Sequence, residues 1–114
     1  MSVDLVVQVY AITKTFPDSE KFGLTNQIRR CSVSIPSNIA EGHARNTDGE
    51  FLRFLRIAYG SSAELETQLI IAERLQFISS QDFDTVDEQL TEIKKMLNKL
   101  MSTVAKSKEL SAKS

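Results

Sequence analysis

Apolar residues recur at helical spacing along most of the chain. In the last third, seven of them are separated by 3, 4, 3, 4, 3 and 4 residues: Phe83, Val86, Leu90, Ile93, Leu97, Leu100 and Val104. This spacing places the side chains along one face of an α-helix. Ser79 precedes the run and is a candidate N-cap. The pattern therefore predicts a long last helix that begins near Ser79.

A second run of the same kind comes before it. Its members are spaced 4, 3, 4, 3, 4 and 3 residues apart: Phe51, Leu55, Ala58, Ser62, Leu65, Leu69 and Ala72. Thr47 with Glu50 three residues later is a capping box. We therefore expect a helix from about Asp48 to about Leu75.

Two shorter apolar stripes precede these helices: Leu5, Val9, Ile12 and Phe16, and then Leu24, Ile28, Cys31 and Ile35. Pro17 ends the first. The connections between the four predicted helices are short, which makes successive helices antiparallel neighbours. The prediction is an all-α, antiparallel up-down-up-down four-helix bundle over residues 1–105. Residues 106–114 lack apolar periodicity and are predicted to be a polar, disordered tail.

Pro36 lies within the second apolar stripe and allows two interpretations. In the first, the chain breaks there, with Asn38 capping a new short helix and Glu41 as its capping-box partner. Alternatively, one helix runs from about Leu24 to Ala44 and is kinked at Pro36, where a backbone donor is lost. We favour the kinked helix because Ile35 and Ile39 continue the apolar face through the proline.

Residues 51–59, with the sequence FLRFLRIAY, are apolar at seven of nine positions. They cover most of the helix circumference, whereas a helix in a lone bundle needs one apolar stripe. This pattern favours self-association. A broad core face with scattered exposed apolar side chains is the alternative.

Composition places the chain among ordinary globular domains, with 41% hydrophobic and 25% charged residues and a net charge of −1. No apolar run is long enough to span a membrane, and no apolar signal peptide opens the chain. The single Cys31 fits a reducing compartment and is expected to be a small core residue. We therefore expect a cytoplasmic protein that does not contact a membrane.

Catalytic chemistry has little support in the sequence. His43 is the only histidine, which argues against a di-iron or zinc site, and no cysteine–histidine cluster exists. The four glycines are isolated, so no glycine-rich phosphate loop is present. We expect neither an enzyme nor a bound cofactor.

Charge is distributed unevenly, and this yields the candidate functional residues. Five of the six arginines lie within residues 29–56 and are candidates for phosphate contacts: Arg29, Arg30, Arg45, Arg53 and Arg56. The alternative is that they pair with acids of the same chain or of a neighbouring subunit. A second set of residues, expected to form a polar cluster that fixes helix register, comprises Asn38, Glu41, Glu64 and Gln68.

Several motifs together resemble a known family. SIPSNIAEG, preceded by QIRR and followed by FLRFLRIAYGSSAELETQL, is similar to the four-helix-bundle proteins encoded in intervening sequences of bacterial 23S rRNA genes. The resemblance covers about residues 4–104, although the first helix looks one or two turns short. It implies a bundle that assembles as a ring of five and has no established enzymatic activity. More distantly similar are accessory proteins of diversity-generating retroelements, whose rings engage RNA and a reverse transcriptase.

The sequence and the resemblance together predict a non-catalytic, ring-forming helical-bundle protein, acting as an RNA- or ribonucleoprotein-associated scaffold. Its expected partners are further copies of itself, as a homopentamer, and a structured RNA or an RNA-handling protein. The alternative is a protein–protein adaptor that binds no RNA directly.

Overall fold

Four α-helices form the fold in a computed structural model that describes residues 1–113. They are α1 (Ser2–Thr13), α2 (Leu24–His43), α3 (Asp48–Arg74) and α4 (Ser80–Lys113), with one 3-10 turn at Asp18–Glu20 between α1 and α2. Each helix packs on the next, and α1 also packs on α4, while the backbones of the diagonal pairs α1–α3 and α2–α4 stay more than 8 Å apart between Cα atoms in the described residues. The predicted all-α, up-down-up-down bundle is confirmed.

The core consists mainly of the apolar stripes that the sequence predicted, together with Leu52 and Ile78. Its most deeply buried side chains come from all four helices: Leu5, Val9, Ile28, Ile35, Leu55, Leu65, Leu69, Val86, Leu90, Ile93 and Leu97. Burying each such side chain contributes about 1.5–3 kcal/mol. Phe83 and Leu100 lie at the edge of this core and are partly buried.

Both predicted N-caps are present. The Thr47 hydroxyl accepts a hydrogen bond from the Glu50 amide at 3.2 Å, and the Ser79 hydroxyl accepts one from the Asp82 amide at 3.1 Å. These contacts satisfy amides that have no partner within the helix. The sequence therefore predicted the starts of α3 and α4 to within a residue.

A tight reversal joins α3 to α4. Gln76 has a φ of 65°, its amide donates to the Glu73 carbonyl, and the Phe77 amide donates to the Ala72 carbonyl. This pair of hydrogen bonds around a left-handed residue is a Schellman motif, which usually has glycine in place of Gln76. The reversal places the Phe77 ring 5.6 Å from that of Phe16, at the end of the bundle.

Helix α2 continues through Pro36, as the kinked-helix interpretation required. The alternative, with Asn38 as an N-cap, is wrong: the Asn38 amide donates back to the Ser34 carbonyl at 2.7 Å and to the Ser34 hydroxyl at 2.9 Å. The side chain therefore supports the preceding turn instead of starting a new helix. The bend at Pro36 remains a prediction.

The end of the chain differs from the expected disordered tail. Residues 106–113 continue α4, while Ser114 lies outside the described residues. No glycine or proline follows Gly60 to stop the helix, and the segment contains lysine, glutamate, leucine and alanine, which favour helical structure. Without apolar periodicity, this segment gives no indication in the sequence that it packs on the bundle. Its residues still favour a helix.

The apolar belt at residues 51–59 is largely absorbed within the bundle. Leu52, Leu55 and Ala58 are buried, and the three aromatic residues of the segment are partly buried. Ile57 is the large apolar residue of this segment that stays exposed, at 40%. The broad-core interpretation accounts for the belt, so the belt as a whole gives no argument for self-association.

Candidate nucleic-acid interface

Two arginines flank one aromatic ring where α2 turns into α3. The guanidinium carbon lies 5.0 Å from the Phe54 ring centroid for Arg45 and 4.4 Å for Arg53. Arg45 also pairs with Glu41, and the Arg53 Nε donates to Glu50 Oε2 at 3.0 Å. Cation–π contacts of this kind hold guanidinium groups in place while leaving N–H donors available. We call Arg45, Arg53 and Phe54 the arginine–phenylalanine cluster.

Close approach of the two helices positions this cluster. A Cβ at Gly42 would lie 2.8 Å from Phe51 Cδ1 and 3.0 Å from Phe54 Cβ, so only glycine fits without displacement. The Phe51 ring in turn packs on the His43 ring, with centroids 4.6 Å apart. Gly42 therefore brings the end of α2 against the start of α3 and fixes where Phe54 lies.

Arg56 extends the basic surface by one turn of α3. It lies three residues beyond Arg53, which places both on neighbouring parts of the helix surface. Arg56 is exposed and has no hydrogen bond or ion pair among residues 1–113. The carboxylates that pair with Arg45 and Arg53 are themselves about half exposed, so each pair contributes only about 0–1 kcal/mol. A phosphate can therefore compete for all three arginines.

Arg29, one of the candidate phosphate ligands, makes contacts within the bundle. Its Nε donates to the Thr13 hydroxyl at 2.8 Å, and its guanidinium carbon lies 4.7 Å from the Tyr10 ring centroid. These contacts connect α2 to α1. Arg29 is half-buried and occupied by structural contacts, which weakens its candidacy as a phosphate ligand.

Arg30 lies apart from the arginine–phenylalanine cluster, about 20 Å from the end of α2 at 1.5 Å per residue. It lines an open cleft of about 450 Å³ between α2 and α3, together with Phe22, Asn26, Gln27, Cys31, Ser34, Ser61, Glu64 and Gln68. The structure thus groups three of the five candidate arginines and separates Arg29 and Arg30 from them.

Cys31 lies at the base of this cleft as a buried residue. Its thiol donates to the Ser61 carbonyl at 3.1 Å. Burial, with a smaller effect of the nearby Glu64 charge, raises the pKa of the Cys31 thiol to about 11. The thiol is therefore neutral near pH 7, as expected for a packed core residue and not for a nucleophile.

The predicted polar cluster is divided among three places. Asn38 bonds to Ser34, whose hydroxyl lies 2.9 Å from the Ser61 hydroxyl and so connects α2 to α3. Gln68 donates to Glu64 at 3.3 Å within α3. Glu41 pairs with Arg45. Asn38 and Glu41 are three residues apart on α2, and Glu64 and Gln68 are four residues apart on α3, so each pair shares a helix face. The residues are separated by their positions along the two helices.

The hydroxyl bridge between Ser34 and Ser61 was missed by sequence reasoning. Ser34 precedes Asn38 by one helical turn, and this spacing was the signal in the sequence that could have indicated it.

Elsewhere in the described residues, no group of three or more histidine, cysteine, aspartate or glutamate side chains is placed to hold a metal ion. Within the same range, no helix has the length and hydropathy needed to cross a membrane.

Comparison with known proteins finds a matching family and a solved structure with a similar fold. A family model described as 23S rRNA-intervening sequence protein matches residues 1–99. A solved structure from Bacteroides thetaiotaomicron VPI-5482, described as a protein of unknown function from the S23 ribosomal protein family, is 27% identical. Its TM-score is 0.81, over 88% of this chain and 94% of that one. The search of curated proteins found no match. With the family match spanning most of its length, this chain belongs to the 23S rRNA-intervening sequence protein family.

Proposed function

We propose that this protein is a non-catalytic, ring-forming scaffold that associates with RNA or with a ribonucleoprotein through Arg45, Arg53 and Arg56. The observation that carries the proposal is the arginine–phenylalanine cluster, with the unpaired Arg56 one turn away. The family description, which refers to an intervening sequence of 23S rRNA, supports RNA as the partner.

The geometry favours contacts to phosphate over contacts to bases. Guanidinium groups match the shape of a phosphate, and packing on Phe54 lowers the entropy lost when Arg45 and Arg53 bind. Phe54 is partly buried beneath both arginines, so its ring faces are engaged and are not offered for base stacking. Such a surface would bind structured RNA with little sequence preference.

Repetition of the surface would compensate for its small size. The chain has a net charge of −1, and three arginines alone make a weak site. In a ring, each copy contributes one patch, and simultaneous binding of several patches multiplies affinity without new contacts. We propose a homopentamer, as the family resemblance implies. Sedimentation equilibrium at micromolar concentration tests this, and a 12.8 kDa species would reject it.

Gel mobility of a structured RNA across a salt series tests the phosphate contacts. The Arg53→Ala, Arg56→Ala protein should bind more weakly, and the slope of log K against log salt should fall by about one per lost contact. Arg74→Ala is the matched control, because it removes an exposed arginine from the far end of the same helix. Circular dichroism and sedimentation should be unchanged in both proteins.

A protein–protein adaptor is the second candidate function. Arg45 and Arg53 already pair with carboxylates, and the same side chains could pair with acids of another protein. If the parent protein binds no RNA at low salt, and the double variant loses assembly, the arginines act in protein contacts. Equal weakening of RNA binding by Arg74→Ala would also reject a specific role for the cluster.

A further inference from the structure

Gly60 has no intramolecular explanation. It is near the middle of the 27-residue α3, it is exposed, and a Cβ built there would meet nothing within 4 Å. Its φ is not positive, so the backbone does not require glycine. Glycine in a helix interior is destabilising relative to alanine. A glycine at this position leaves room for another molecule to approach the helix backbone closely.

Gly60 belongs to an exposed row on α3 that points away from the core. The row comprises Ile57, Gly60, Glu64, Thr67 and Ile71, spaced 3, 4, 3 and 4 residues apart, and we call it the α3 stripe. Ile57 and Ile71 are 40% and 45% exposed. This is the spacing of a seam against another helix, and the bundle itself provides no helix there.

A second exposed row lies on α1. It comprises Val3, Val7 and Tyr10 of α1 and Lys14, the residue that follows the helix, spaced 4, 3 and 4 residues apart, and we call it the α1 stripe. Val3, Val7 and Tyr10 are 63%, 65% and 40% exposed, opposite the buried face of the same helix. Because α1 and α3 are diagonal in the bundle, the two stripes face away from each other on opposite sides.

We propose that the α1 stripe of one copy packs against the α3 stripe of the next copy. The spacing 7, 10, 14 matches the spacing 57, 60, 64, so one parallel register aligns three positions of each row. It places Val7 beside Ile57 and the large Tyr10 over Gly60. It also places Lys14, which has no ion pair among residues 1–113, beside the exposed Glu64. Shape and charge are therefore complementary in the same register.

The direction of the helices agrees with a closed assembly. In an up-down-up-down bundle α1 and α3 run the same way, so parallel pairing between copies leaves all bundles pointing in one direction. The two surfaces differ, which makes the interface heterologous, and heterologous interfaces generate rings when the rotation closes. This inference rests on the homo-oligomer of the proposed function and assigns the surfaces that form it.

Added bulk at Gly60 tests the interface. Gly60→Leu should keep its helical circular dichroism, because the side chain enters open space, while its dissociation constant rises at least about tenfold. Ser102→Leu is the matched control, since it adds an exposed leucine to α4 outside both stripes. Sedimentation velocity over a dilution series measures the dissociation constants of the two variants. Unchanged assembly of Gly60→Leu would reject the surface.

A charge exchange tests the register. Lys14→Glu and Glu64→Lys should each weaken assembly about threefold to fivefold at low salt, and the double variant should restore it. Failure of the double variant to restore assembly would overturn the Lys14–Glu64 pairing. If the parent protein assembles and none of these variants changes its mass, the interface is wrong while the homo-oligomer stands. A monomeric parent would reject both, and RNA binding would then be judged by its own assay.

Discussion

Gly42→Ala should destabilise the fold, although alanine usually stabilises a helix. Gly42 is in the last turn of α2, where it faces the start of α3. The new methyl carbon would lie 2.8 Å from Phe51 Cδ1 and 3.0 Å from Phe54 Cβ. The Phe51 ring can rotate, but Phe54 Cβ is bonded directly to the α3 backbone. The two helices must therefore separate by a few tenths of an ångström.

The expected magnitude follows from two opposing effects. Replacing a helical glycine by alanine contributes up to about 1 kcal/mol of stability. Overpacking a well-filled contact costs about 1–3 kcal/mol. Phe54 Cβ cannot move away without moving the α3 backbone. We therefore expect overpacking to dominate, with a net loss of stability of about 1 kcal/mol. For a domain of this size the melting temperature should fall by about 4 °C.

Urea unfolding followed by circular dichroism at one fixed protein concentration measures this loss, since association would otherwise shift the apparent stability. Gly49→Ala is the matched control. Its Cβ would lie 3.7 Å from Lys108, an ordinary contact, so it should gain stability. In a Phe51→Ala background, Gly42→Ala should cost less than in the parent, because one of its two contacts has been removed. A Gly42→Ala protein as stable as Gly49→Ala would refute the steric reasoning.

Four further predictions concern caps, turns and ionisable groups. Ser79→Ala should lose about 1 kcal/mol in urea unfolding, because the first turn of α4 loses its cap. Gln76→Gly should gain about 1 kcal/mol, because glycine adopts the left-handed conformation without strain. Since burial raises the pKa of Cys31 to about 11, its thiol should react slowly with alkylating reagents at pH 8, and stability should fall as pH rises from about 9 to 11. Burial, and then the adjacent Glu66, raise the pKa of Asp87, so Asp87→Asn should raise the urea midpoint at pH 7, and the gain should shrink in acid, where Asp87 is protonated.

The helices and the core could be predicted because they depend on local spacing. The apolar rows of α3 and α4, and their caps at Thr47 and Ser79, are properties of residues within one or two turns. Continuity through Pro36 was predicted for the same reason, since Ile35 and Ile39 lie on both sides of it. The helical end of α4 was missed because packing was taken as the requirement for order, whereas intrinsic helix preference also acts there.

The polar contacts could not be predicted in the same way. Whether an arginine is free or occupied depends on its rotation about one helix and on the neighbour at that height. Arg29 meets Thr13 and Tyr10 on α1, while Arg56 meets no partner among the described residues. In the sequence, Arg29 and Arg56 belong to the same arginine-rich segment, residues 29–56. The structure distinguishes them because it specifies what each guanidinium contacts.

Gly42 and Gly60 show why a structure of one chain can still indicate its partners. Both are helical glycines, Gly42 in the last turn of α2 and Gly60 near the middle of α3. The first is explained by the ring of Phe51 and the Cβ of Phe54, which leave no room for a side chain. The second costs helical stability and has no neighbour in the chain to account for it. When a glycine lowers helix stability and no residue of the chain requires it, a contact with another molecule can account for it. The exposed, regularly spaced residues on either side of Gly60 then indicate a helix as that contact, and the matching row on α1 provides one.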